Sequence, residues 1–242
     1  MIEDAYQIFD YLPSSFQSEK EEEYISFLWD TFESNYKNEK YQFAFLAYHM
    51  LYMSFIYFII WQIKNNRPED FGKAMIGFNK DLEHQLLNAT SPFTFSEIPE
   101  RSVFRFLKLV GCANLNIGNY TKLVDERNDI AHSNGNIFYA DQKSVDEKIE
   151  EVLKIIGEIH FTSQCIASDC FKKFLTDSYD PDVREYAADL DQVREVLISK
   201  HFLSQKQIEI CATFDIAALS SNPNYPQIKL LYEAFIKEYK SE

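Results

Sequence analysis

Turn-forming residues are scarce in this chain. Six glycines and seven prolines are spread over 242 residues, too few for the tight turns of a β-barrel or sandwich, so the expected fold class is all-α. Basic residues are scarce as well: 24 Lys and Arg stand against 38 Asp and Glu, for a formal net charge of −14. Phosphate neutralisation needs Lys and Arg, so a broadly basic nucleic-acid platform is excluded. The deficit is even along the chain, with 12 basic and 19 acidic side chains in residues 1–139 and the same numbers in residues 140–242. There is no basic tail, and any RNA contact has to come from a local patch.

The four cysteines, Cys112, Cys165, Cys170 and Cys211, form no C-x-x-C pair and no zinc-ligand spacing. With no signal peptide legible at the N-terminus, they point to a reducing cytoplasm, where the sequons at Asn88 and Asn119 are accidental. Phosphate-binding glycine motifs (G-x-x-x-x-G-K-[ST], G-x-G-x-x-G) are missing, as are G-x-S-x-G and H-E-x-x-H. A di-iron bundle needs Glu three positions before His on two helices, and no histidine here has one. Asp81 with His84, and Asp129 with His132, have i,i+3 spacing, which is ordinary for helix-surface contacts. No metal and no cofactor is expected.

What the chain has in abundance is apolar and aromatic surface. Phe43 to Trp61 carries no acidic or basic side chain and is long enough to cross a bilayer. It also holds His49, Ser54, Tyr48, Tyr52 and Tyr57, where a lipid-facing helix favours Leu or Val. It is a lone span with no basic cluster on one side. A central core helix, walled by other helices, accounts for it better, and no membrane partner is expected.

Periodicity places the remaining helices. Ser18 with Glu21 is a capping-box signature, and Tyr24, Ile25, Leu28, Trp29, Phe32 and Tyr36 follow at helical spacing, predicting a helix over 18–37. The apolar run predicts one over 40–64, and Pro68 opens a third over 68–87. A Pro/Ser/Thr-rich loop from Thr90 to Pro99 leads to a short helix ending near Gly111. The next, over 117–133, turns Leu123, Val124 and Ile130 inward and stops at Ser133-Asn134-Gly135, with Gly135 as its cap. Val145, Ile149, Val152, Ile156, Ile159, Ile166 and Cys170 keep a three-four alternation that predicts a long helix over 143–175. Asp177 to Pro181 reads as a linker, dividing a helical domain over 1–178 from a C-terminal helical appendage over 179–242. Within the appendage, helices are predicted over 182–200, 204–219 and 226–240.

The histidines rank by surroundings. His49 lies inside the apolar helix and reads as a hydrogen-bonded core residue. His160 and His201 have no acidic or nucleophilic partner at suggestive spacing. His132 differs: it closes a helix, five residues after Arg127, with Asn128 one turn before it on the same face. A histidine is suited to proton transfer, the planar fork of Arg127 to gripping a phosphate, and Asn128 to holding substrate or imidazole. Five residues correspond to roughly 500° of rotation, so Arg127 and His132 stand about 140° apart on an ideal helix. Either Arg127 wraps around, or two copies of the motif meet across a dimer. Without such a partner, Asp125, Glu126, Arg127 and Asp129 read as a solvated charged face and His132 as a C-capping histidine.

An arginine, a polar residue and then a histidine at R-x4-H near a helix end, followed by a short loop and a long amphipathic helix, resembles the HEPN superfamily. The matching residues are Arg127, Asn128 and His132, in the run Glu126 to Gly135, and the resemblance covers about residues 18 to 176. It implies a HEPN-like helical bundle and a metal-independent endoribonuclease whose homodimer joins two motifs in one cleft. On that resemblance His132 is the acid/base, Arg127 holds the phosphate and Asn128 positions. A ribose 2′-OH attacks the neighbouring phosphate to leave a 2′,3′-cyclic phosphate. Toxin–antitoxin or anti-phage defence is the implied setting, with an antitoxin or defence protein as partner. Non-catalytic binding or dimerisation modules belong to the same superfamily and are the alternative. Arg101, Arg105 and Lys108 recur at i, i+4 and i+7 before the motif helix, a basic stripe in an acidic chain. It is a candidate grip on RNA, or else a solvated face.

Overall fold

The computed structural model describes residues 2–132 and 135–240. The helices are α1 (Ile2–Ala5), α2 (Glu19–Lys37), α3 (Tyr41–Asn66), α4 (Pro68–Ala74), α5 (Lys80–Leu87), α6 (Glu100–Val103), α7 (Asn114–Ala131), α8 (Gln142–Asp177), α9 (Asp189–Asp191), α10 (Gln205–Ala212) and α11 (Tyr225–Tyr239). Short 3-10 segments join several of them, and among the described residues there is no strand. The all-α class therefore holds.

Two compact units are formed. The first takes Met1–Phe9 with Ser18–Ser163, and the second takes Asp10–Gln17 with Gln164–Glu242. The boundary predicted at 178 is thus displaced into α8, and a piece of the N-terminus joins the C-terminal unit. The cause is the apolar seam of α8, which does not stop where its first partners stop. Ala167, Cys170, Phe171, Phe174 and Leu175 bury themselves against Val193, Leu197, Ile208, Cys211, Ile228 and Phe235. Composition marks Asp177 to Pro181 as a turn, and packing places the division earlier.

The first unit is built on α3. Its side chains are buried almost without interruption from Ala44 to Ile63, because α2 and the segments that follow α3 pack against it. The helix is long and apolar enough to cross a membrane, yet 83% of its most apolar window is buried within the protein. Removing a Phe or Ile side chain of this kind from water stabilises by about 1.5–3 kcal/mol. Two hydroxyls on α3 find backbone partners: that of Tyr48 donates to the Ala5 carbonyl at 3.0 Å and that of Ser54 to the Met50 carbonyl at 2.8 Å. At its end, Arg67 Nη1 donates to the Leu109 carbonyl at 2.6 Å.

Helix α2 starts where its capping signature says: the Ser18 side chain accepts from the Glu21 amide. Half of the reciprocal box is diverted, since the Glu21 carboxylate accepts from the Ser91 hydroxyl at 2.6 Å. The helix predicted over 68–87 is broken into α4 and α5. Gly77 takes a left-handed φ of 96°, and Asn79 caps a new start by accepting from the Leu82 amide at 2.8 Å. The segment from Phe104 to Val110 is 3-10 rather than α and ends on Gly111 at φ 88°. Helix α7 ends at Ala131 with His132 as its C-cap residue. Of the stop predicted there, Ser133 and Asn134 lie outside the described residues, and Gly135 has φ 81°.

In the second unit α9 begins only at Asp189 and continues as a π-helical stretch, Gln192–Ser199. The residues before it, predicted helical from 182, are instead organised by side chains. Gln192 accepts from the Glu185 and Tyr186 amides at 3.1 and 3.0 Å, and Arg184 donates to the Tyr186 and Ala187 carbonyls. The helix predicted over 204–219 stops at Ala212, with a separate 3-10 turn at Ile216–Leu219. Its start is a complete capping box between Ser204 and Gln207. The N-terminal piece is pinned to the same region: Ser14 donates both its amide and its hydroxyl to the Leu203 carbonyl, at 3.0 and 2.9 Å.

Candidate functional site

Helix α7 is fixed on its inner side by Tyr120, Leu123, Val124 and Ile130, all buried. That arrangement decides where the polar residues between them point. Arg127 faces the short helix α6, where its Nη2 forms an ion pair with Glu100 Oε2. Both side chains are about a quarter exposed, at 25% and 27%. The same carboxylate oxygen is bonded to His49 Nε2 from α3 at 3.2 Å, and the His49 side chain is only 1% exposed. Three elements therefore converge on one carboxylate.

The electrostatics follow from this packing. Burial alone would raise the Glu100 carboxyl, but hydrogen bonds from His49 and Arg127 and their charges outweigh it and bring it down to about 2. Burial lowers the His49 imidazole, against the opposing pull of Glu100, and Nε2 is the donor, since an ionised carboxylate only accepts. His49 Nδ1, the Tyr52 hydroxyl and Arg127 Nε are buried and have no hydrogen-bond partner among the described residues. Tyr52 lies beside the imidazole, ring centroids 5.8 Å apart.

Further ties hold the charged end of α7. Arg101 Nε meets Asp125 Oδ1 at 3.1 Å, and Lys148 Nζ of α8 meets both Glu126 and Glu151 at 2.6 Å. Gln42 at the start of α3 donates to the Ile130 carbonyl at 3.3 Å and accepts from the Phe138 amide at 3.1 Å. The last turn of α7, at Ile130, and the Phe138 amide are thereby both held to Gln42 of α3.

His132 is exposed. Its amide donates to the Asn128 carbonyl at 3.1 Å, and Asn128 is half-buried one turn earlier. Arg127 turns toward α6 while His132 ends the helix about 7.5 Å further along the axis. The two motif residues are not brought together within one chain. Exposed apolar side chains on this unit include Phe43 and Met50 on α3, and Ile137 and Phe138 after α7, where the Phe138 amide meets Gln42.

The three stripe cations part company. With α-helix at Glu100–Val103 giving way to 3-10 geometry from Phe104, the spacing no longer makes one row, because 3-10 helix turns every three residues. Arg101 and Lys108 are exposed. Arg105 instead donates through Nη2 to the Ala74 and Ile76 carbonyls at 2.8 and 3.1 Å, and its guanidinium lies over Phe78, 4.5 Å from the ring centroid. It is a clamp on the turn between α4 and α5.

Sequence reasoning passed over Glu100. Its signal was thin: a carboxylate directly after Pro99 and directly before a nominated arginine. His49 was read as a hydrogen-bonded core residue, and it is one, but its partner lies 51 positions away. Comparison with family models, curated proteins and solved structures finds no match for this chain.

Proposed function

We propose that this chain is a metal-independent endoribonuclease of HEPN type, working as a homodimer in a toxin–antitoxin or anti-phage defence setting in the cytoplasm. The observation that carries the proposal is the disposition of the motif on α7. His132 is exposed at the helix end, and Arg127 sits more than a turn earlier on another face, turned toward Glu100. A second copy seated against this end of α7 supplies the complementary motif.

In the composite site, His132 of one copy takes the proton of a ribose 2′-OH as that oxygen bonds to phosphorus. The bond from phosphorus to the 5′-oxygen breaks, and His132 of the second copy returns a proton to that oxygen. The products are a 2′,3′-cyclic phosphate and a 5′-hydroxyl. Arg127 stabilises the charge gathering on the phosphate, and Asn128 positions the reacting groups. Arg101 and Lys108 are the exposed cations offered to the rest of the RNA.

The test is cleavage of labelled RNA in EDTA by wild type, His132→Ala and Arg127→Ala. Wild type is expected to cut, His132→Ala to fail and Arg127→Ala to cut far more slowly. Equal cutting by the His132 variant, or loss of cutting on chelation, refutes the mechanism. One observation favours a second reading, a non-catalytic HEPN-fold binding module: Glu100 neutralises Arg127 within its own chain. That reading predicts a dimer that binds RNA or a partner protein and leaves RNA intact.

A further inference from the structure

The carboxylate that holds Arg127 lies outside the motif, on a helix of four residues, and is itself held by a histidine from the core of the unit. We propose that Glu100, anchored by His49, is the positioning residue for Arg127, fixing the guanidinium that the ribonuclease reading above assigns to the scissile phosphate.

The argument starts from the length and freedom of an arginine side chain. Unrestrained, it samples many rotamers, and ordering it costs side-chain freedom. On α7 the flanking positions Val124 and Ile130 face the core, so packing fixes the helix but leaves the end of Arg127 to find its own partner. Glu100 is that partner: one carboxylate oxygen engages Nη2, and Nε is buried beside it. The guanidinium is planar, so fixing one amino nitrogen and burying Nε also fixes which edge is presented outward.

A free carboxylate could not do this reliably, since a four-residue helix gives little support of its own. His49 provides it. It comes from the most completely buried stretch of the unit and donates to the same oxygen. A second link between the helices, Arg101 to Asp125, holds α6 against α7 from the solvent side. The arrangement is a relay from a rigid helix, through a carboxylate, to a long mobile cation. A reacting group misplaced by about 1 Å can cost on the order of 100-fold in rate, so a residue that touches no substrate can still govern turnover.

The experiment is a double-mutant cycle on RNA cleavage with Glu100→Gln, Arg127→Ala and the double variant, alongside wild type and His132→Ala. Glu100→Gln keeps the shape and loses the charge. It is expected to lower kcat by about 10- to 100-fold with KM little changed. In the Arg127→Ala background it is expected to do nothing further, because its effect passes through that side chain. The same loss in both backgrounds means Glu100 acts through the fold at large and overturns the proposal, as does an increase in kcat. Should Glu100→Gln fail to fold, Glu100→Asp takes its place: an intermediate loss is expected, and wild-type kcat overturns the proposal. Wild type that leaves RNA intact overturns the ribonuclease reading and Glu100's role with it. Wild type that cuts while the Glu100 variant matches it overturns Glu100's role alone.

Discussion

Replacing Arg105 with alanine separates two accounts of the same residue. As a member of a basic stripe it would grip RNA; in the structure it clamps a turn. Its Nη2 donates to the Ala74 carbonyl at 2.8 Å and, at 3.1 Å, to that of Ile76, an exposed residue. A hydrogen bond from a charged donor contributes about 1.5–3 kcal/mol when shielded, and the Ile76 carbonyl, near water, counts for much less. Stacking on Phe78 adds about 0.5–1 kcal/mol. The expected loss is about 2 kcal/mol. With a urea dependence of about 2 kcal/mol per molar, the unfolding midpoint falls by about 1 M. Trp29 and Trp61, the chain's two tryptophans, both lie in the first unit, so their fluorescence follows that unit directly. Arg101→Ala is the control: its pairing with Asp125 is exposed on both sides and contributes about 0–1 kcal/mol. A midpoint that is unmoved in Arg105→Ala, together with weakened RNA binding, would refute the clamp and restore the stripe.

Two other outcomes follow from the packing. The Glu100 carboxyl is depressed from 4.5 to about 2 in the folded protein, so its contribution is complete above about pH 4.5 and is lost as pH falls toward 2. Between pH 5 and pH 3 that loss amounts to about 2 kcal/mol. It is expected to vanish from Glu100→Gln when tryptophan-monitored urea unfolding is compared at the two pH values; an unaltered acid dependence contradicts the assignment. Phe171→Ala removes a fully buried ring that meets Phe214, Tyr232 and Phe235, at a cost of about 3–5 kcal/mol. Amides of α10 and α11 are then expected to exchange at least about 100-fold faster, and unchanged exchange would show that the cluster does not hold them.

The sequence made some of this legible for plain reasons. Apolar spacing survives any tertiary arrangement, so the seams of α2, α7 and α8 emerge buried where periodicity puts them. Caps are local chemistry, and Ser18 acts as the N-cap that its spacing to Glu21 predicts. Less local matters were hidden. Nothing in the spacing from Pro68 to Leu87 distinguishes a helix with a tolerated glycine from one broken at Gly77, because Arg105, far along the chain, helps hold the break. The divided helix α8 reads as uniform, since one apolar stripe serves two different sets of partners. Glu100 escaped notice because a carboxylate's role is set by what approaches it in space. Arg127 and His132 were legible as a motif, and their geometry as a diverging pair on one helix was legible too. The pairing of Arg127 to Glu100 was not.

The seating of Ser14 on Leu203 has a bearing on how the molecule is made. The two residues are 189 positions apart. On the ribosome the segment Asp10–Gln17 emerges well ahead of its acceptor. At typical elongation rates of about 5–20 residues per second, that leaves it without its partner for roughly 10–40 s. The residues between Ser18 and Ser163 emerge during that interval. The second unit is therefore closed by a contact between stretches of polypeptide made far apart in time. A chain cut short at 178 would carry Asp10–Gln17 with nothing to receive it.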